Sequence, residues 1–125
     1  MYVTGVDHVQ LAAPAGCEEA ARRFFGGVLG LPEIEKPPVL AARGGVWFGV
    51  GEQQLHVGIL DGALVPARKA HPALRVARGR LDALAERLEA AGAPVEWDAA
   101  IAGVRRFFSA DPWGNRIEFV EGTRR

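Results

Sequence analysis

The feature that most constrains this chain is that its two halves repeat. Val6-Asp7-His8-Val9-Gln10-Leu11 opens the first half and Ala70-His71-Pro72-Ala73-Leu74-Arg75-Val76 opens the second. Each puts one histidine ahead of an alternating strand pattern, and the two histidines are 71 − 8 = 63 positions apart. A helical segment follows in each half. In the first it runs from Glu18 through Phe24-Phe25 to Leu29; in the second Leu81, Leu84, Ala85 and Leu88 recur at spacings of three and four. Both segments stop at a glycine with a proline close behind, at Gly30 and Pro32 and at Gly92 and Pro94, with 92 − 30 = 62. Strand-like stretches close each half. The first half has Val46 to Val50 and Leu55 to Ile59; the second has Val104 to Ser109 and Arg116 to Val120, with an Asp111-Pro112-Trp113-Gly114-Asn115 turn between them. His56 and Glu118 hold matching places in the last strands, 118 − 56 = 62. Each half therefore reads strand, helix, then about three strands. The expected fold is α+β, a single domain over 1–125, with module one about 1–61 and module two about 69–122. The hinge falls between Asp61 and Lys69.

Composition narrows the function. The 15 basic and 15 acidic residues cancel, so no overall field favours nucleic acid or an anionic membrane. One cysteine, Cys17, forbids an intrachain disulfide and is expected to be inert. No apolar run approaches the roughly 18 residues of a membrane-spanning helix, and the start lacks the pattern of a signal peptide. A cytoplasmic protein without nucleic-acid or membrane partners is the expectation.

Side chains alternate across a strand, so each strand can be split into two faces. Val9 and Leu11 oppose His8 and Gln10; Leu55, Val57 and Ile59 oppose Gln54 and His56. Leu74 and Val76 oppose His71, Ala73 and Arg75; Ile117 and Phe119 oppose Arg116, Glu118 and Val120. One face suits packing under a helix; the other carries a histidine or glutamate beside another polar residue. That pattern fits a curved sheet with helices outside and a polar concavity inside. All three histidines of the chain fall on these polar faces at repeat-matched positions. Imidazole and carboxylate are natural donors to Zn, Ni, Co, Fe or Mn, and two histidines with one carboxylate leave metal positions open for substrate. His8, His71 and Glu118 would form that set, with His56 as a fourth ligand. The competing reading is a group of ordinary hydrogen-bonded histidines, with Glu118 in an ion pair with Arg75 or Arg106. Gln10 and Arg75 are candidates to bind a carboxylate or carbonyl of a substrate. Trp47 and Trp113 are either pocket walls or simple packing. The loops Glu33 to Arg43 and Asp61 to Lys69 are expected to set specificity.

These residues resemble the vicinal oxygen chelate superfamily, the glyoxalase/bleomycin-resistance/dioxygenase group. The matching stretches are Val6-Asp7-His8-Val9, Phe24-Phe25 through Leu29-Gly30-Leu31, His71 to Val76, Ala91-Gly92, and Phe108 to Glu118, whose Asp-Pro-x-Gly-Asn turn is the most specific part. The resemblance implies paired βαβββ modules forming a half-barrel-like mixed sheet around one divalent metal, with ligands at His8, His56, His71 and Glu118. It implies a metal-stabilised oxyanion chemistry on a small oxygenated metabolite or xenobiotic, with Glu118 as general base. Glyoxalase I-like members carry Glu or Gln where this chain has His56. The resemblance further implies a homodimer. A non-catalytic small-molecule-binding protein of the bleomycin-resistance type is the alternative.

Overall fold

The computed structural model describes residues 1–122. It divides into two units, Met1–Val65 and Pro66 onward, so the boundary lies inside the segment the sequence marks as the hinge. Unit one runs β1 (His8–Ala13), α1 (Glu18–Ala21), a π-helical continuation (Arg22–Val28), β2 (Glu33–Ile34), α2 (Pro38–Ala41), β3 (Val46–Val50) and β4 (Gln53–Ile59). Unit two runs β5 (Ala73–Val76), α3 (Leu81–Ala90), β6 (Glu96–Asp98), β7 (Arg106–Ala110) and β8 (Arg116–Glu121). The result is two four-stranded mixed sheets, ordered β1-β4-β3-β2 and β5-β8-β7-β6. In each, the opening strand runs parallel to the closing strand, which is the pairing a helical crossover permits; the other pairs are antiparallel.

The repeat is also kept in register. Gln10 faces His56 across β1 and β4, and Ala73 faces Glu118 across β5 and β8, so both members of each pair move together by 62 or 63 positions. Alternation then sorts the faces. Phe48, Leu55, Val57 and Phe25 are fully buried in unit one; Leu81, Leu88, Phe107, Ile117 and Phe119 are fully buried in unit two. Each large side chain taken from water contributes about 1.5–3 kcal/mol. These cores press one face of each sheet against a helix and leave the polar residues on the other.

Three local features differ from the pattern read in the sequence. The first helix does not stay α-helical: from Arg22 it widens, with the Leu29 N–H donating to the Phe24 carbonyl at 3.0 Å, a bond spanning five residues. Gly26 and Gly27 lie in this stretch, and glycine holds an α-helix poorly. The segment from Glu33 to Arg43 is not only loop. It contains β2, which pairs Glu33 with Phe48 and Ile34 with Trp47, and the short α2 that begins at Pro38 after Pro37. Finally, His71 stands before β5, which begins at Ala73, whereas His8 is the first residue of β1. Among the described residues no helix is long and apolar enough to cross a membrane.

Candidate metal centre

Each unit brings two of the four candidate ligands together. In unit two, β8 carries Glu118 and the chain entering β5 carries His71. The His71 Nε2 lies 3.0 Å from Glu118 Oε1. Glu118 is buried, at 8% exposure, and the side chain of His71 is about a quarter exposed. The other ring nitrogen, Nδ1, lies 2.7 Å from the backbone carbonyl of Lys69. A carbonyl only accepts, so Nδ1 carries the proton and Nε2 presents its lone pair when the ring is neutral. That lone pair then faces a carboxylate oxygen, two acceptors at contact distance, and only a cation between them relieves it: a proton or a metal ion. Two donors about 2.1 Å from one ion and about 90° apart are about 3.0 Å from each other, so the observed spacing fits adjacent ligands of a divalent metal.

The second oxygen of Glu118 is held elsewhere. Arg106, on β7, places Nη1 3.2 Å from Glu118 Oε2 and Nη2 3.4 Å from Asp98 Oδ1. The hydrogen bond to Glu118 is the largest influence raising the guanidinium pKa, so Arg106 is a fixed positive charge behind the carboxylate. The ion pair weighed for Glu118 in the sequence is therefore present, and Arg106 rather than Arg75 makes it. Arg75 is exposed, and its side chain makes no hydrogen bond or ion pair among the described residues.

In unit one, His8 repeats the arrangement of His71. Its Nδ1 lies 2.8 Å from Asp7 Oδ1, which again leaves Nε2 with the free lone pair. The His8 side chain is 41% exposed. His56 is different. It is buried and lies between two other rings. Trp47 stacks on one face at 3.8 Å and 1°, and His8 lies against it at 4.1 Å and 18°. Its Nε2 donates to Gln54 Oε1 at 2.8 Å, leaving Nδ1 as the acceptor. Burial first, and the neighbouring His8 next, lower the His56 pKa, so the ring is held neutral. Lone pairs lie in the ring plane, so two nearly parallel stacked rings direct them side by side rather than at one ion. His56 would have to turn to join His8 on a metal. Among the described residues no three His, Cys, Asp or Glu side chains gather as a ligand set; the ligand-type contacts are these two pairs.

Of the other residues singled out in the sequence, Gln10 and Trp47 line a cavity of about 280 Å³ in unit one, together with Lys36 and Gly58. Cys17 is buried ahead of α1, and burial is the main influence raising its thiol pKa, as expected of an inert cysteine. Two groups escaped the sequence as site residues. Arg106 was legible only as a possible ion-pair partner. Phe108, opposite Glu118 across β7 and β8, meets the edge of His71 at 5.2 Å and lies under the Arg116 guanidinium at 4.0 Å. Alternation on β7, which puts Arg106 and Phe108 on one face, was the available signal for both.

The same architecture recurs in known proteins. The family model for the Glyoxalase/Bleomycin resistance protein/Dioxygenase superfamily matches residues 5–119. A solved structure of a putative glyoxalase family protein from Bacillus anthracis is 46% identical, covers 98% of each chain and superposes with a TM-score of 0.90. Lactoylglutathione lyase from Agrobacterium tumefaciens is 24% identical over 98% of this chain and 96% of that one, with a TM-score of 0.72. A variant of the fosfomycin resistance protein FosX from Listeria monocytogenes, complexed with Mn(II) and 1S,2S-dihydroxypropylphosphonic acid, is 18% identical over 98% and 95% of the chains, with a TM-score of 0.78. Comparison with the curated proteins gave no match. Two βαβββ modules, each with a polar sheet face carrying imidazole, define the class, and the chain belongs to the Glyoxalase/Bleomycin resistance protein/Dioxygenase superfamily.

Proposed function

We propose that this chain is a metal-dependent enzyme of the glyoxalase/dioxygenase type that acts on a small oxygenated metabolite or xenobiotic. His8, His71 and Glu118 are the proposed ligands of one divalent metal (Zn, Ni, Co, Fe or Mn), and His56 is a fourth donor if its ring turns. The two modules work as one domain, and the chain is proposed to act as a homodimer in the cytoplasm. The single observation that carries the reading is the 3.0 Å approach of His71 Nε2 to Glu118 Oε1, with His71 Nδ1 turned to the Lys69 carbonyl so that Nε2 is the nitrogen presented to the carboxylate. The FosX structure with Mn(II) lends support from a protein of the same fold.

When bound, the ion supplies Lewis acidity that favours negative charge on a substrate oxygen. The residues of the chain do the rest. Asp7 and the Lys69 carbonyl hold the two imidazoles with Nε2 available. Arg106 grips Oε2 of Glu118, and Oε1, the proposed metal donor, would act as general base for a substrate proton only on leaving the ion. Gln10 and Arg75 are proposed to contact a carbonyl or carboxylate of the substrate, and Trp47 walls its cavity.

The test is the metal content of wild type, His71→Ala and Glu118→Gln, alongside turnover. About one divalent ion per chain in wild type, its loss in His71→Ala, and retained metal without turnover in Glu118→Gln would support the assignment. Wild type that takes up none of these ions refutes it and favours a binding protein. Full activity in Glu118→Gln removes the general-base role.

A further inference from the structure

We propose that a cavity in unit two is an oxyanion subsite, in which the guanidinium of Arg116 receives a carboxylate or a phosphate-type group of the substrate. This rests on the proposed function only in taking the anion to be part of the substrate. The cavity holds about 290 Å³ and is lined by Arg68, Pro94, Glu96, Phe108 and Arg116, among others. That is the small end of the range for ligand pockets.

Three observations single out Arg116. The first is its pairing. Arg22, Arg105 and Arg106 each meet a carboxylate, on Glu33, Asp82 and Glu118. Arg116 makes no ion pair among the described residues, though its charge reaches Asp98, and its Nε, like that of Arg106, is buried with no acceptor. A guanidinium that lines a cavity without an ion-pair partner there is satisfied by an acceptor that enters it. The second is orientation. The Arg116 guanidinium sits over Phe108, with Cζ 4.0 Å from the ring centroid. A guanidinium held against a ring keeps its N–H groups available to grip a planar or tetrahedral oxyanion. The third is position. Phe108 also touches His71, whose ring meets it edge-on at 5.2 Å. One ring thus separates the anion-binding group from the His71–Glu118 pair, so an anion on Arg116 can belong to a molecule whose reacting oxygen lies near that pair. Two guanidiniums, Arg68 and Arg116, outweigh the exposed Glu96 in the lining, which favours an anion over a cation.

The experiment uses the full chain stripped of metal by a chelator, so that it stands or falls separately from the metal reading. Inorganic phosphate and acetate are titrated separately while the arginine Nε–Hε resonances are followed by NMR. The resonance that disappears in Arg116→Gln is expected to shift saturably in wild type. Arg116→Gln is expected to weaken binding by about tenfold or more, as loss of a charge-assisted pair does. Arg116→Lys, which keeps the charge and the fold, should be intermediate. Arg105→Gln should stay within about twofold of wild type, as for a surface position. Tighter binding of phosphate assigns the subsite to a phosphate-type group, and tighter binding of acetate to a carboxylate. No saturable shift with either probe, or wild-type affinity in both Arg116 variants, overturns the proposal.

Discussion

Replacing Asp111 with alanine tests whether the turn that delivers β8 is built as described. Asp111 is 5% exposed and opens the Asp-Pro-Trp-Gly-Asn turn. Its Oδ1 accepts the backbone N–H of Trp113 at 3.0 Å and of Asn115 at 2.8 Å, and its Oδ2 accepts Asn115 Nδ2 at 2.7 Å. Alanine removes both acceptor oxygens and all three hydrogen bonds. The Asn115 groups are buried, and leaving a buried donor without this acceptor costs about 1–3 kcal/mol each. The Trp113 N–H is half-buried and can turn to water at smaller cost. Against these losses stands the relief of a desolvated carboxylate, because burial is the first influence raising the Asp111 pKa from 3.8. The net expectation is a loss of about 2–4 kcal/mol at neutral pH, or a fall in Tm of about 10 °C for a chain of this size. Urea unfolding with an unchanged m value is the assay. Asp111→Asn keeps an acceptor for the two backbone donors and should lose about 1 kcal/mol. A pH dependence follows with a definite sign. A carboxyl whose folded pKa is raised contributes most below its unfolded value, and that contribution is lost as pH rises through the folded value. Alanine should therefore cost more in acid than at neutral pH. A loss under about 0.5 kcal/mol, within the range of ordinary surface changes, would refute the turn as the structural anchor of β8. A cost that shrinks in acid would refute burial as the dominant influence on Asp111.

Other consequences can be measured in the same way. Gly45 has φ +86°, and a β-carbon there would lie 2.3 Å from the Val57 carbonyl oxygen, so Gly45→Ala should lose more than about 3 kcal/mol or fail to fold; near-native urea stability would contradict that backbone approach. Glu18 Oε2 accepts the Gly45 N–H at 2.7 Å, and that bond is the main influence lowering its pKa. Its contribution is present above the unfolded pKa and lost as pH falls through the folded one, so Glu18→Gln should destabilise at neutral pH and match wild type in strong acid. Unfolding curves for both proteins that stay parallel across that range would exclude the link. Trp47→Leu opens one face of the His56 ring, which should let its pKa rise toward the ordinary 6.5 as water reaches it; an unchanged NMR titration of His56 would mean Trp47 is not what desolvates it.

The repeat and the strand faces were legible because both rest on local periodicity. Period-two alternation placed Leu55, Val57, Ile117 and Phe119 on the apolar, helix-packed faces, and the offset of 62 to 63 placed His56 and Glu118 at equivalent points. β2 was not legible. A strand of two residues carries no periodic signal and exists only through its pairing with Phe48 and Trp47, which lie a dozen or more positions away in sequence. The π-helical stretch was hidden for a related reason: composition says that Gly26-Gly27 weakens a helix, not which carbonyl the Leu29 N–H will reach. Arg116 stands at the start of β8 beside the turn, and the ring it covers belongs to the neighbouring strand, so its lack of an ion pair depends on cross-strand packing that no sequence window contains.

The same limit applies to the chemistry of the histidines, and here the structure adds an argument the sequence could not make. His8 and His71 occupy one repeat position, and each has Nδ1 held by an acceptor just upstream, a carboxylate in one unit and a backbone carbonyl in the other. The partners differ while the consequence is the same: both rings offer Nε2. His56 and Glu118 also occupy one repeat position, yet they have diverged. Glu118 is braced by Arg106 and keeps one oxygen toward His71, whereas His56 is stacked between two rings with Nε2 committed to Gln54. The Glu118 carboxylate keeps one oxygen at a nitrogen donor with Arg106 on the other, an arrangement that suits a bound cation, whereas a stacked neutral imidazole does not. The better donor pair for a cation therefore lies in unit two, and the Arg116 cavity there is lined by Phe108, which also meets His71 of that pair. If that asymmetry is the basis of function, Glu118→Gln should change metal retention less than His71→Ala, because glutamine keeps the carbonyl oxygen at the His71 nitrogen while alanine removes the lone pair. Equal loss of metal in the two variants would mean the charge of Glu118, and not the paired donor geometry, holds the ion.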